Sequence, residues 1–185
     1  MDRLYTGLAR AEEALPGFRV EIVEGSVVAS PGTPHHGRTI RDVWNCLEEQ
    51  IGQAWAVISG VGVPFDDDNL FCPDLAVIPA PEAERNESAY LPDLVELVVE
   101  VVSRGSVRRD YEVKPRWYAS RGIANYLVLD PLAGHCVTMW NPGADGYRGR
   151  DTVPYGPRLT VDSPLGKLKL TTDRFPVAPG SRPQP

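Results

Sequence analysis

Apolar and polar positions change their period several times along the chain, and each change marks an element. Residues 3–14 repeat apolar side chains at helical spacing and stop at Pro16–Gly17, which predicts a short amphipathic helix. "FRVEIVEGSVVAS" then alternates in twos and turns at Glu24–Gly25, the pattern of a β-hairpin. "PGTPHHG" reads as a loop. From Arg38 to Gly52 the apolar residues Ile40, Val43, Trp44, Leu47 and Ile51 return to helical spacing. "AWAVISGVGV" predicts a strand, "VPFDDDNLFCPD" a polar, mobile connection, and "DLAVIPA" a short strand ended by proline. "PEAERNESAYLP" reads as a surface loop.

"DLVELVVEVVS" is the strongest strand signal, and "ANYLVLDP" is another. Leu97 to Val102 and Tyr126 to Leu129 are the apolar runs expected of strands buried on both faces at the sheet centre. Residues 107–121 between them are helical in part. "HCVTMWNP" and "GYRGRDTV" predict a second hairpin, "TVDSPLGKLKL" an added edge, and "VAPGSRPQP" a disordered Pro/Gly tail. This order predicts an α+β or mixed α/β class, with one domain over residues 1–174 and a tail over 175–185.

Composition narrows the class. A chain of 185 residues can bury a full core, and 42% hydrophobic with 24% charged residues is ordinary for a soluble globular protein. No apolar run approaches the roughly 20 residues that span a membrane. The N-terminus carries acidic residues and no long apolar core, so it does not read as a signal peptide. Cys46, Cys72 and Cys136 are widely spaced and form no C-x-x-C pair, so neither a disulfide framework nor a zinc site is indicated. A reducing cytoplasm is the expected location.

The net charge of −6 argues against general adhesion to nucleic acid. Locally the picture differs. Arg104, Arg108, Arg109, Lys114, Arg116 and Arg121 crowd into one segment, opposed there by Asp110 and Glu112. The plainest reading of such a run is a solvated helix face.

One carboxylate, Glu100, stands in the middle of "VVEVV". A buried ion costs several kcal/mol unless it is paired or holds a metal. The chain has no G-x-G-x-x-G after a strand, no phosphate-binding G-x-x-x-x-G-K-[ST], no H-E-x-x-H and no G-x-S-x-G. His35 and His36 are tandem residues in a Pro/Gly stretch, for which a capping or loop role is the simplest account. Asp74 opens "PDLAVI" on another strand; taken alone it reads as a turn residue after proline. If the two strands are neighbours, Asp74 and Glu100 converge. Two carboxylates with a backbone carbonyl make a hard-oxygen site suited to magnesium or manganese. A lysine nearby adds a fixed positive charge.

"PDLAVI … LVVEVVS … RRDYEVKPRWYASRGIANYLVLDP" resembles the PD-(D/E)XK nuclease superfamily, and more narrowly the bacterial Uma-two family of restriction-endonuclease-like proteins. The likeness extends upstream through "VEIVEGSVVASPGTPHHGR" and covers roughly residues 18–172. It implies a mixed central β-sheet flanked by helices, with an N-terminal hairpin. It also implies hydrolysis of DNA phosphodiester bonds with Mg2+ or Mn2+, and often a homodimer. Asp74 matches the motif aspartate and Glu100 the motif glutamate, with the Val101 carbonyl as a third metal ligand. The superfamily's usual lysine slot, two residues after the glutamate, holds Val102 here; the Uma-two pattern takes lysine from the next helix, matched by Lys114. Asp110 matches an acidic position that orients this lysine, Glu21 the hairpin glutamate and His36 the loop histidine. Arg104, Arg108 and Arg109 become candidate phosphate contacts. Pro115 biases Lys114 away from helical angles and places it near a helix start. Two functions fit these residues: a metal-dependent DNA endonuclease, or an inactive nuclease-fold module used for interaction or assembly.

Overall fold

The computed structural model describes residues 2–156 and 158–178. Helix α1 (Asp2–Ala14) packs on the hairpin β1 (Phe18–Val23) and β2 (Ser26–Pro31). Glu24 and Gly25 at its tip have φ of 48° and 73°, the left-handed pair that a two-residue hairpin turn needs. Helix α2 spans Pro34–Glu48, so it starts four residues before Arg38 and takes in both histidines. Thr33 is the reason. Its side chain accepts the His36 N–H, and Pro34 supplies a first-turn residue with no N–H to satisfy. "PGTPHHG" is therefore a helix start rather than a loop.

The expected mobile connection is also ordered. Strands β4 (Val63–Asp66) and β5 (Asn69–Phe71) follow β3 (Trp55–Ile58) and form a hairpin. Asp66 Oδ1 accepts hydrogen bonds from the Asp68 N–H at 3.0 Å and from Asn69 Nδ2 at 2.9 Å, which fixes the turn. Asn69 Oδ1 accepts the Glu24 N–H at 3.0 Å, and the Gly25 N–H donates to the Asp68 carbonyl at 2.9 Å. The acidic turn thus ties two hairpin tips together. Strand β5 pairs with β1, giving a four-stranded sheet in the order β2-β1-β5-β4.

The larger sheet adds β6 (Leu75–Pro79), β7 (Leu97–Val101), β8 (Asn125–Asp130), β9 (His135–Gly143) and β10 (Gly146–Pro154), in the order β10-β9-β8-β7-β6-β3. Only β7 and β8 run parallel, so the sheet is mixed, and these two strands form its centre. Helix α3 (Ala80–Ala83) lies mostly in the predicted surface loop, and a 3-10 turn at Pro92–Leu94 takes the first residues of the predicted strand, which begins at Leu97. A π-helical turn, Arg109–Val113, leads into α4 (Lys114–Ser120). Strands β11 (Arg158–Ser163) and β12 (Gly166–Thr171) pair only with each other instead of adding an edge. Their alternation turns Leu159, Val161, Leu168 and Leu170 inward beside Val43 and Leu47 of α2, covering one face of the large sheet. The other face packs Val98, Val102 and Val128 against Tyr118 of α4 and Phe71 of the small sheet.

The mixed α+β class with a helix-flanked central sheet is as predicted. The boundary at 174 is not. Phe175 is buried in the core and the Ala178 N–H donates to the Pro131 carbonyl at 2.9 Å, so the chain is held past that point. The remaining expected tail, 179–185, lies outside the described residues. Among the described residues no helix is long and apolar enough to cross a membrane.

Leu127 lies in β8 at the sheet centre and is 1% exposed. Leu127→Ala removes its side chain from a packed layer and is expected to cost about 2–5 kcal/mol, read as a lower urea midpoint at unchanged slope. A loss below about 0.5 kcal/mol, the range of surface substitutions, would contradict this placement of the core.

Candidate active site

Sheet register brings the two carboxylates together. Leu75 of β6 faces Val99 of β7 in an antiparallel pair, so one further step sets Asp74 opposite Glu100. Like charges directly opposed destabilise a ladder, and here both are buried, at 3% and 0% exposure. Neighbouring elements supply the compensation. Arg19 Nη1 contacts Asp74 Oδ1 and lies 3.5 Å from Glu100 Oε2. Lys114 Nζ lies 2.7 Å from Glu100 Oε1, 2.8 Å from Glu21 Oε1 and 3.7 Å from Asp110 Oδ1. The Tyr118 hydroxyl donates to Glu100 Oε1 at 3.1 Å.

Each side chain has a local reason to be there. Strand alternation puts Arg19 and Glu21 on one face of β1, while Val20 and Ile22 occupy the other. The Cys72 N–H donates to Glu21 Oε1 at 3.2 Å and holds that carboxylate in place. His36, in the first turn of α2, brings Nε2 to 3.3 Å from Asp74 Oδ2. The same oxygen accepts the Val101 N–H at 2.7 Å. Strand β6 begins at Leu75, and the Asp74 side chain replaces the ladder partner that Val101 would otherwise lack. Val102, in the usual lysine slot, is buried in the apolar layer.

Lys114 reaches the cluster through the π-turn. Pro115 has no N–H, and its ring crowds the carbonyl four residues back. The chain widens by one residue before it: the Lys114 N–H donates to the Arg109 carbonyl, five residues earlier. Lys114 keeps helical angles, φ −58° and ψ −43°, so the expected bias away from the helix is absorbed upstream. Its ammonium is fully enclosed.

Burial and charge count set the protonation states. Burial alone would draw the Lys114 proton off, but Glu100, Glu21 and Asp110 outweigh it and raise the pKa well above the usual lysine value. Burial pushes Glu21 up as well, yet Lys114 and Arg19 hold it below its ordinary value. Asp74 is likewise held low against burial, by the His36 hydrogen bond and by Arg19. Glu100 goes the other way: burial, with Asp110 and Asp74 adding to it against Lys114, pushes it up to about 8. The directions for Lys114 and Glu100 pull against each other. Both follow from four buried carboxyl groups sharing Lys114 and Arg19, and Asp110 is pushed up as well, chiefly by burial.

The basic segment does not present all its charges outward. Arg108 is bound to Glu24 at the hairpin tip, at 2.8 and 3.3 Å. Arg109 donates to the Gly105 carbonyl and the Ser30 hydroxyl at 2.9 and 3.1 Å, with Nε 3.6 Å from Glu21 Oε2. Both arginines, expected at phosphates, clamp the hairpin over the site. Arg104 is exposed and lines an apolar cavity of about 440 Å³ beside the site. A second cleft, of about 430 Å³, is lined by Arg19, His36, Cys72, Asp74 and Ser103. Glu100 and Lys114 lie behind it. Among the described residues no three His, Cys, Asp or Glu side chains form a ready-made metal cage.

The sequence reading missed Arg19 and Tyr118. Arg19 had a usable signal, a charge two residues before Glu21 on a half-buried hairpin strand. Tyr118 had one too, since it lies four residues after Lys114 on the same helix face.

Residues 8–173 match the sequence family described as "Putative restriction endonuclease", Uma2. Comparison with solved structures finds a putative nuclease belonging to DUF820 from Anabaena variabilis. The likeness has a TM-score of 0.68 at 12% identity, covering 84% of this chain and 88% of that one, which is a similarity of fold. No match is found among curated proteins.

The raised Glu100 makes a pH prediction. The folded chain binds this proton more tightly than the unfolded one, so through this group stability falls as pH rises from about 4.5 to about 8. Glu100→Gln cannot titrate. The melting-temperature gap between wild type and Glu100→Gln is therefore expected to move in favour of the variant as pH rises across that window. A gap independent of pH would place Glu100 at its ordinary value.

Proposed function

Because this chain belongs to the Uma2 restriction-endonuclease-like family, we propose that it is a metal-dependent endonuclease that cleaves phosphodiester bonds in DNA. The carrying observation is the buried lysine held between Glu100 and Glu21, with Asp74 reaching the same cluster. A structural core has little use for so many buried ions, each costing several kcal/mol to desolvate.

The donor set fits a hard cation. Asp74 and Glu100 both reach toward one point, now held by the Arg19 guanidinium, so their oxygens lie close enough to share a charge. The carbonyl of Val101 lies on the strand edge whose N–H meets Asp74, and would complete the set. Held by Asp74, Glu100 and the Val101 carbonyl, Mg2+ or Mn2+ would supply a water of lowered pKa and positive charge for a phosphoryl oxygen. Lys114 retains its proton, so its part is electrostatic: it fixes Glu100 and adds positive charge behind the acids that face the cleft. Glu21 and Asp110 keep that ammonium charged and aimed. His36 holds Asp74 from the cleft side. The cleft beside Asp74 is where a DNA strand would run, with Arg104 at the neighbouring cavity as a phosphate contact.

One observation favours the alternative of an inactive assembly module: Arg19 and Lys114 already neutralise the acids from within. Plasmid nicking separates the two. With Mg2+ or Mn2+ the wild type is expected to convert supercoiled DNA to open circles. Glu100→Gln and Lys114→Ala are expected to lose about 10²-fold or more in rate, and Glu48→Gln on the exposed face of α2 to lose nothing. A folded wild type that nicks with neither metal leaves the module reading standing.

A further inference from the structure

We propose that Arg19 is the built-in competitor of the catalytic cation, and that it sets both the affinity of the site and access to Glu100. This rests on the metal-dependent reading above. Three observations on Arg19 carry it. Arg19 Nη1 sits at the point both acids reach, in contact with Asp74 and 3.5 Å from Glu100. Arg19 lines the cleft and its side chain is 15% exposed, whereas Glu100 is fully enclosed behind it. And its Nε, although buried, has no hydrogen-bond partner, while Nη1 donates to the two acids.

A guanidinium and a divalent ion cannot occupy the same oxygens. A cation approaching from the cleft meets Asp74 and Arg19 first. To bind Glu100 as well it must displace Nη1. The cleft gives the freed side chain somewhere to go, since its mouth is lined by Gly17, Phe18, Ser59 and Gly60 with room for several waters. The apparent affinity is then the intrinsic affinity reduced by the fraction of molecules in which Arg19 has left. The same contact relieves the cross-strand repulsion of Asp74 and Glu100, so Arg19 serves folding and opposes metal loading with one group.

The test is Mn2+ binding to the full chain without DNA, read from the EPR signal of free Mn2+. The proteins are wild type, Arg19→Gln, Arg19→Lys, Glu100→Gln and the surface control Arg38→Gln. Arg19→Gln is expected to bind Mn2+ about tenfold more tightly than wild type. Low-millimolar guanidinium chloride is expected to weaken binding by Arg19→Gln and leave wild type unchanged, because free guanidinium refills the place of the lost side chain. Arg19→Lys is expected to fall between, and Arg38→Gln to match wild type. If Arg19→Gln loses its circular-dichroism signature, Arg19→Lys carries the decision, and wild-type affinity in it overturns the proposal. Equal or weaker binding by a folded Arg19→Gln, with wild type binding and Glu100→Gln not, overturns the role of Arg19 and leaves the metal site intact. No Mn2+ binding by any folded variant removes the metal reading, and the competitor with it.

Discussion

The buried ammonium of Lys114 is the interaction on which the rest of the structure depends. It lies between Glu21 of the small sheet and Glu100 of the large one, and it arrives from α4. Two sheets and a helix therefore meet on a single charge. An enclosed lysine without partners would shed its proton or unfold its surroundings. With partners on both sheets it cannot be satisfied unless both sheets are docked. The same requirement explains the clamp around it: Arg108 and Arg109 pull the hairpin onto the helix, and the two hairpin tips are tied by Asn69 and Asp68. Electrostatics here acts as a docking code, while the apolar layers on each side of the sheet supply most of the favourable burial.

That economy changes how an acidic chain would meet DNA. The basic segment promised an outward patch, but Arg108, Arg109 and Arg121 are spent on the protein, the last on Asp93. What remains near the site is a cleft with Arg19 and His36 in its wall and Arg104 on the adjoining cavity. Under the proposed function, attraction to phosphate is local to this cleft rather than spread over the surface. A net charge of −6 is compatible with such an arrangement and discourages adhesion elsewhere.

The central strands and the first hairpin were legible because their apolar runs and alternation leave few alternatives. Glu100 was legible for the opposite reason, as a charge among residues that exclude water. The hairpin β4–β5 was not, because three consecutive aspartates look like solvated loop until Asp66 is seen to bind Asn69. The start of α2 was hidden by Pro34 and Gly37, although the Thr33-Pro34 pair is a capping signal. Arg19 escaped because its role depends on a partner sheet: alternation says which way it points but not that Asp74 and Glu100 wait there. The fate of Arg108 and Arg109 is hidden for the same reason, since the hairpin they grip is distant in sequence, 84 residues from Arg108 to Glu24 and 79 from Arg109 to Ser30.

The π-turn before α4 has a consequence for reading other chains of this kind. An α-helix turns about 100° for each residue, so the direction of a side chain is a phase as much as a position. The turn at Arg109–Val113 holds one residue more than an ordinary helical turn, and Lys114 faces inward only because that extra residue has been counted. A relative without it would bring its lysine to the same place one residue earlier in the chain. A column-by-column comparison would then mark the lysine as missing while the charge is still there. In this chain the angle at which the helix meets Glu100 is what the lysine needs, and the number of residues between the glutamate and the lysine matters only as far as that angle closes.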